Sequence, residues 1–308
     1  MDSQIAWLAV DWGTSNLRVW GITADGKIGF AKTSDQGMGK LAPSGFAGVL
    51  DALAGGDLPA GGGTVDAVIC GMAGARQGWL EAPYLDAPTD LSGLGYGAVH
   101  PAMPGSRLLP RILPGVCQKR AGAEDVMRGE ETQILGLSTL LPDFAGVAIL
   151  PGTHSKWVSV DGRRIERFAT AMTGELYEVL RLHSVLRLSL GGDLDGADRL
   201  AGVEAGLTAG IGAPEKLASM LFKVRAGSLL SGRTPAWCAG YLSGLLIGAE
   251  IGGQRDWIEA AQREIPLIGS SALCALYAQG LAQLGVATRI IDATDATLAG
   301  LALARSLS

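Results

Sequence analysis

L-A-V-D-W-G-T-S-N-L-R-V-W-G-I-T-A-D-G-K-I, Leu8 to Ile28, is the stretch on which the fold turns. An aspartate ends one apolar run, a small polar cluster follows, and a second apolar run leads into Asp25-Gly26, a strong hairpin signal. The same grammar returns in V-A-I-L-P-G-T-H-S-K-W-V-S-V-D-G-R-R-I, Val147 to Ile165: strand, small polar turn, strand, Asp-Gly turn, strand. With Gly152-Thr153 laid on Gly13-Thr14, Asp161-Gly162 falls within three positions of Asp25-Gly26. The chain therefore reads as an internal duplication with one such hairpin near the start of each half. Pro142-Asp143 marks the boundary, so the expected domains are 1–141 and 142–308.

Outward from these hairpins, the first half reads as strands over Ile5–Val10, Arg18–Thr23 and Lys27–Lys32, a helix near Phe46–Ala54 and a buried strand Val65–Cys70. A Pro-rich irregular stretch from Pro83 to Pro114 precedes a helix expected from about Glu124 to Leu137. The second half adds helices near Glu175–Leu188, Leu200–Ala209, Glu215–Arg225 and Ala236–Ile251. It closes on strand I-P-L-I-G, helix S-A-L-C-A-L-Y-A-Q-G-L, strand A-T-R-I-I-D and a helix from Ala296 to Arg305. The 46 glycines fall mainly at the ends of apolar runs, as tight strand-to-helix turns require, and the class is α/β. The closing unit looks doubly wound, with Gly269-Ser270-Ser271 at the carboxyl end of a strand.

The composition, 48% apolar and 18% charged over 308 residues, suits large buried cores. A net charge of -5 without a basic stripe argues against nucleic acid as a partner. The N-terminus has neither a basic region nor a long apolar run before Asp11, so a cytoplasmic protein is expected. Ala236 to Ile251 is the most apolar stretch, but it holds Glu250 and spaces Gly240, Gly244 and Gly248 as a closely packed soluble helix would. No membrane span is expected. Cys70, Cys117, Cys238 and Cys274 are scattered in apolar surroundings, which reads as reduced core thiols, and the three histidines are too dispersed for a local metal motif.

A turn of Gly, Thr and Ser offers N–H groups and hydroxyls to an anion, and Asp11 at a strand end can hold magnesium. Two such turns could grip a polyphosphate; either one alone could equally be a polar turn capping a buried strand. The P-loop pattern is absent, since Gly26-Lys27 and Gly39-Lys40 are followed by Ile28 and Leu41. Gly93 to Ala98 fits G-x-G-x-x-A but follows A-P-T-D-L-S rather than a strand, and no G-x-S-x-G occurs.

This arrangement resembles the actin-like ATPase superfamily of sugar kinases, heat-shock ATPases and actin. In that comparison V-D-W-G-T-S-N-L-R is similar to the first phosphate segment, L-P-G-T-H-S-K-W to the second, P-L-I-G-S-S-A-L-C-A-L-Y to the adenosine segment, and Asp295–Ala302 to the second connecting helix. Within it, Cys70–Tyr84, P-G-V-C-Q (Pro114–Gln118) and E-D-V-M-R-G-E-E-T-Q-I-L-G (Glu124–Gly136) resemble the 2-dehydro-3-deoxygalactonokinases. The resemblance implies two actin-like, ribonuclease H-like domains, each a mixed sheet with flanking helices, with an ATP cleft between them. It also implies ATP and Mg2+ as cofactors and phosphorylation of a sugar acid at its terminal C6 hydroxyl.

On that footing Gly13, Thr14, Ser15, Arg18, Gly152, Thr153, His154 and Lys156 are candidates for the ATP phosphates, Gly269, Ser270 and Ser271 for adenosine, and Asp11 for the metal. Asp125 is the candidate base, by its similarity to the aspartate that starts the first connecting helix of glucokinase-like relatives; an acid favoured by a helix dipole would look the same. Arg76 and Arg128, with Gln77 and Trp79 beside the first, are candidates for the substrate carboxylate. Arg18 and Lys156 could instead face solvent, and His154 could be a buried, hydrogen-bonded imidazole. His154 and Ser155, adjacent on an extended segment, point to opposite faces and make no base–nucleophile pair. Two other readings stay open: a non-enzymatic ATP-dependent switch, and a kinase of the gluconate epimer. The oligomer is a monomer or homodimer.

Overall fold

The computed structural model describes residues 4–58, 61, 63–191, 196–261 and 264–307. In chain order the strands are β1 (Ile5–Trp12), β2 (Leu17–Thr23), β3 (Ile28–Ser34), β4 (Val65–Gly71), β5 (Tyr84–Asp86), β6 (Thr89–Asp90), β7 (Leu108–Ile112), β8 (Gly115–Gln118), β9 (Asp125–Met127), β10 (Ala145–Leu150), β11 (Ser155–Asp161), β12 (Arg164–Ala171), β13 (Ile265–Gly269) and β14 (Thr288–Asp292). The α-helices are α1 (Phe46–Ala54), α2 (Glu130–Leu140), α3 (Thr173–His183), α4 (Ala197–Gly212), α5 (Leu217–Leu230), α6 (Pro235–Gly253), α7 (Arg255–Ala260), α8 (Ser271–Ala282) and α9 (Ala293–Ser306). They form two compact units. Unit 1 is Met1–Phe144, Val160–Arg167 and Ala293–Ser308; unit 2 is Ala145–Ser159 and Phe168–Asp292.

One sheet runs β3-β2-β1-β4-β7 and another runs β6-β12-β11-β10-β13-β14. Apart from β6, which pairs antiparallel with β12 at the edge, each counts third, second, first, fourth, fifth along its strands. In the first, β1 pairs antiparallel with β2 and parallel with β4, and β4 is parallel to β7. In the second, β10 and β13 are parallel, as are β13 and β14. The repeated topology is what the two similar hairpins demand: each supplies an antiparallel ribbon, and crossovers then add parallel strands on the other side of its first strand.

Unit 1 is built around Leu8, Val10 and Trp12 of β1, with Phe46 and Leu50 of α1 and Ile69 of β4, all of them buried. Trp12 stacks at a tilt on Phe46, ring centroids 4.8 Å apart, and burial of a side chain of this class contributes roughly 1.5–3 kcal/mol. A small sheet, β5-β8-β9, lies in the same unit.

The helix expected from about Glu124 begins later. Asp125–Met127 is a strand, with Asp125 opposite Gln118, and the chain turns at Gly129 (φ +111) before α2 starts at Glu130. Residues other than glycine rarely adopt that backbone conformation, so Gly129 fixes the start of the helix. Glu124 and Asp125 resemble helix-starting acids in sequence; the acids that occupy the first turn are Glu130 and Glu131.

In unit 2, α4 lies against α6 through small residues. A Cβ at Gly206 would strike the Tyr241 carbonyl, and one at Gly244 the Val203 carbonyl. Close backbone approach, rather than lipid, accounts for the glycine spacing of α6, and no helix among the described residues is long and apolar enough to cross a membrane.

Candidate functional site

In unit 1, β1 delivers Asp11 to the end of the sheet and β2 returns Arg18 directly opposite. Arg18 Nη2 lies 3.2 Å from Asp11 Oδ2, and the Cys70 thiol points at Oδ1 from 3.9 Å. Burial pushes the Asp11 carboxyl up, Arg18 opposes this, and the negative charge of Glu130 adds to it. The turn between the strands closes through Gly13 N–H to the Asn16 carbonyl, 2.8 Å. Its Gly13 and Thr14 carbonyls accept from the N–H groups of Met38 and Gly39, and the Thr14 and Ser15 side chains remain exposed. With carbonyls tied back and hydroxyls outward, the turn presents donors to an anion.

Behind it, Glu131 at the start of α2 is fully buried and accepts from Gly129 N–H with both oxygens, at 2.9 and 2.7 Å. Desolvation, then the charge of Glu130, pushes its carboxyl up to about 7.

Asp125 accepts from Val126 N–H at 2.7 Å and lines an open pocket with Tyr84, Gln118 and Lys119. Arg128 stacks on Tyr84, its guanidinium carbon 4.3 Å from the ring centroid, and donates from Nη2 to the Ala82 carbonyl at 2.9 Å. Its Nε and Nη1 are buried without a partner among the described residues. Tyr84 thus joins Asp125 and Arg128. The other three substrate candidates sit apart from this stack: Arg76 is exposed beside Glu81 at 3.5 Å, Gln77 is exposed, and Trp79 packs its ring on Trp12 and Phe46.

In unit 2, β10 leads through Pro151 into Gly152, Thr153 and His154, and β11 begins at Ser155. The start of α3 lies on this turn: Glu175 N–H donates to the Thr153 carbonyl at 3.0 Å, and a Cβ at Gly174 would come 2.5 Å from the Gly152 oxygen. His154 Nε2 meets Glu175 Oε2 at 2.5 Å, so the imidazole is a surface partner and not a core group. Lys156 is buried, not solvent-facing, with Nζ donating to the His154 carbonyl at 3.3 Å.

Beside the turn is a pocket of about 390 Å³, mostly apolar, between α4, α6 and α8. Gly152, Gly174, Ser270 and Tyr277 lie on its wall together with Leu246 and Leu273. Ser270 also caps α8, accepting from Leu273 N–H at 3.4 Å; Gly269 ends β13 against the Pro151 carbonyl, and Ser271 is exposed at the start of α8. Two segments widely separated in the chain therefore meet at one slot of the size and character of a small-molecule site.

The sequence model of the 2-keto-3-deoxy-galactonokinases matches residues 11–304, a span that takes in both turns and this slot. The chain belongs to the 2-keto-3-deoxy-galactonokinase family. It is 40% identical over 301 residues to a Rhizobium meliloti (strain 1021) protein assigned as a 2-dehydro-3-deoxygalactonokinase, covering 96% of this chain and 95% of that one. It is 34% identical over 302 residues to the 2-dehydro-3-deoxygalactonokinase of Escherichia coli (strain K12), covering 96% of each. A crystal structure from Sinorhizobium meliloti, assigned to the same kinases, superposes with a TM-score of 0.88 at 40% identity, covering 97% of this chain and 98% of that one.

Residues outside the motifs also gather at these places. Tyr84 lies at the edge of a stretch that carries the resemblance, and only the fold shows it bridging Asp125 and Arg128. Glu131 has a sequence signal, an acid two residues after a glycine at a helix start. Glu250 has one too, a lone acid in an apolar helix. Tyr277, which lines the slot, closes the stretch similar to the adenosine segment, whereas Thr173, which also lines it, carries no signal.

Proposed function

We propose that the chain is a magnesium-dependent kinase that transfers the γ-phosphoryl group of ATP to the C6 hydroxyl of 2-dehydro-3-deoxygalactonate, giving 2-dehydro-3-deoxy-6-phosphogalactonate and ADP, in the cytoplasm where ATP is available. The observation that carries it is the unit 2 slot, which joins Gly152 of the phosphate turn to Ser270 of the adenosine segment. The apolar walls suit a purine ring and ribose, with the polyphosphate leaving toward Gly152, Thr153, His154 and Lys156. Gly13, Thr14, Ser15 and Arg18 supply the second set of phosphate donors. Residues 1–141 hold the first hairpin, the sugar pocket and the base, and residues 142–308 the second hairpin and the adenosine site.

The donor set at Asp11 fits magnesium. A hard dication prefers oxygen ligands and commonly takes one or two carboxylates, with substrate phosphates and water completing its shell. Asp11 is a strand-end carboxylate under the added negative field of Glu130, which a cation would relieve. Bound there, the ion would offset the charge of the phosphoryl oxygens.

Asp125 takes the proton of the C6 hydroxyl as its oxygen bonds to the γ-phosphorus and the β–γ bridging bond breaks. Arg128, whose Nε and Nη1 have no partner among the described residues, would take the substrate carboxylate, and Arg76 and Gln77 remain further candidates for it. The test is ATP consumption with 2-dehydro-3-deoxygalactonate and its gluconate epimer side by side, with phosphorus NMR locating the new ester. ATP turnover that ignores the sugar acid, or none at all, would point to a nucleotide switch instead. In D125N, turnover should fall by about 10²–10⁴ with ATP affinity retained, and near-normal turnover would remove Asp125 from the reaction.

A further inference from the structure

Glu250 lies in α6, a helix otherwise made of apolar and small residues, and it is buried. Leaving a carboxylate in such a place is costly unless donors surround it, and these do. Trp157 Nε1 of β11 donates to Oε1 at 2.8 Å, and Tyr277 OH of α8 donates to Oε2 at 2.6 Å. Thr173 Oγ1, the first residue of α3, donates to the same Oε2. One side chain thus gathers three separate elements.

The directions of these bonds matter as much as their number. Tyr277 has a single phenolic hydrogen; given to Glu250, it leaves the phenol oxygen to accept from Ser155 Oγ, 2.7 Å away. Ser155 directly follows the turn Gly152–His154. Thr173 is bonded to Gly174, whose missing Cβ makes room for the Gly152 carbonyl. Glu250 therefore reaches the phosphate turn by two routes, one through Tyr277 and Ser155 and one through Thr173 and Gly174. Thr173, Gly174 and Tyr277 all line the slot, and Glu250 does not.

We propose that Glu250 is a positioning residue for nucleotide binding: its carboxylate fixes the hydroxyls of Thr173, Tyr277 and Ser155, and through them the second phosphate turn and the wall of the adjoining slot. This rests on the slot being the adenosine site. Glu250 touches no reacting atom. It acts by making the turn and the wall rigid in a single arrangement, so that nucleotide binding need not order them. Any acceptor of similar volume would fill the space; only one that accepts on both oxygens sets all the protons at once.

The E250Q variant separates these roles. The amide keeps the volume but turns one acceptor into a donor, which then faces either the Trp157 N–H or the Tyr277 and Thr173 hydroxyls. Titration calorimetry with ADP should show affinity about tenfold weaker or more, while the KM for the sugar acid at saturating ATP stays within about twofold. Y277F removes the phenol oxygen that joins Glu250 to Ser155, leaves Thr173 and Trp157 on the carboxylate, and should weaken ADP by about threefold in the same selective way. Unchanged ADP affinity in E250Q, or a parallel rise of both constants, would overturn the proposal, since general loosening moves both. If E250Q does not fold, Y277F decides: unchanged ADP affinity there overturns the proposal equally. A wild-type chain that binds no ADP overturns the reading of the slot, and the inference with it.

Discussion

The turn after β1 and the turn after β10 occupy the same place in two sheets of the same strand order, yet they differ in charge. When Gly13 is laid on Gly152, Asp11 falls on Leu150, Trp12 on Pro151 and Arg18 on Trp157. The ion pair that closes the first hairpin is replaced by two apolar side chains, both buried, in the second. Each sheet keeps a glycine where the next parallel strand ends: Gly71 against the Trp12 carbonyl, Gly269 against the Pro151 carbonyl. The shared backbone preserves the turn, and the divergent side chains give one copy a strand-end carboxylate paired with Arg18 and the other an apolar pair at the same places. The buried acids behind the two turns differ as well. Glu131 serves its own helix start, whereas Glu250 ties three elements together.

The largest expected effect tests the charge difference. D11N should cut kcat by about 10³ and raise the magnesium concentration needed for half-maximal rate. If steady-state kinetics find more than about a tenth of the wild-type rate, the first turn has no special claim to the cation.

Next comes the acid behind that turn. A Glu131 value of about 7, above the ordinary 4.5, means that the folded chain holds the proton more tightly than the unfolded one between those values. Stability is therefore fully present at low pH and declines as pH rises from about 4.5 toward 7, by on the order of 3 kcal/mol. Urea unfolding across that range should show the decline in wild type and a flatter profile in E131Q; equal slopes would mean that burial of Glu131 does not govern its ionisation.

The glycine pair sharpens the backbone comparison. Gly71 has φ +88 and its added Cβ would lie 2.7 Å from the Trp12 oxygen, whereas Gly269 would place one 3.2 Å from that of Pro151. G71A should cost about 2 kcal/mol and G269A about 1 kcal/mol in thermal unfolding. The reverse order would mean that the two strand ends are not equivalent. The smallest effect tests the proposed role of Arg76 toward the sugar acid: R76A should raise the KM for the sugar acid about fivefold and leave that for ATP alone. Equal effects on both would signal a folding defect.

Much of this was readable from local pattern because the two hairpins are local. Alternating apolar residues, an Asp-Gly turn and a Gly-Thr step lie within a few residues of one another, and β1 to β3 and β10 to β12 fall close to where that pattern puts them. The Glu124–Met127 region went the other way. Its acids fit a helix start, but pairing with β8 overrode local preference, and the helix waits for Gly129. The site shows the same division. Asp11, Gly152 and Ser270 are legible from strand ends and helix starts, while Tyr84, Thr173 and Tyr277 owe their place to partners far away in the chain.

The sequence by itself determined the α/β class, the duplicated hairpin, the polar turns and the family, since each depends on neighbours along the chain or on similarity along its length. Tertiary structure decided which residues gather around those turns: the slot between α4, α6 and α8, the stacking of Arg128 on Tyr84, and the carboxylate of Glu250 drawing donors from β11, α3 and α8. Such contacts form because a buried charge must find donors wherever the packed elements bring them, and sequence separation places no limit on that search.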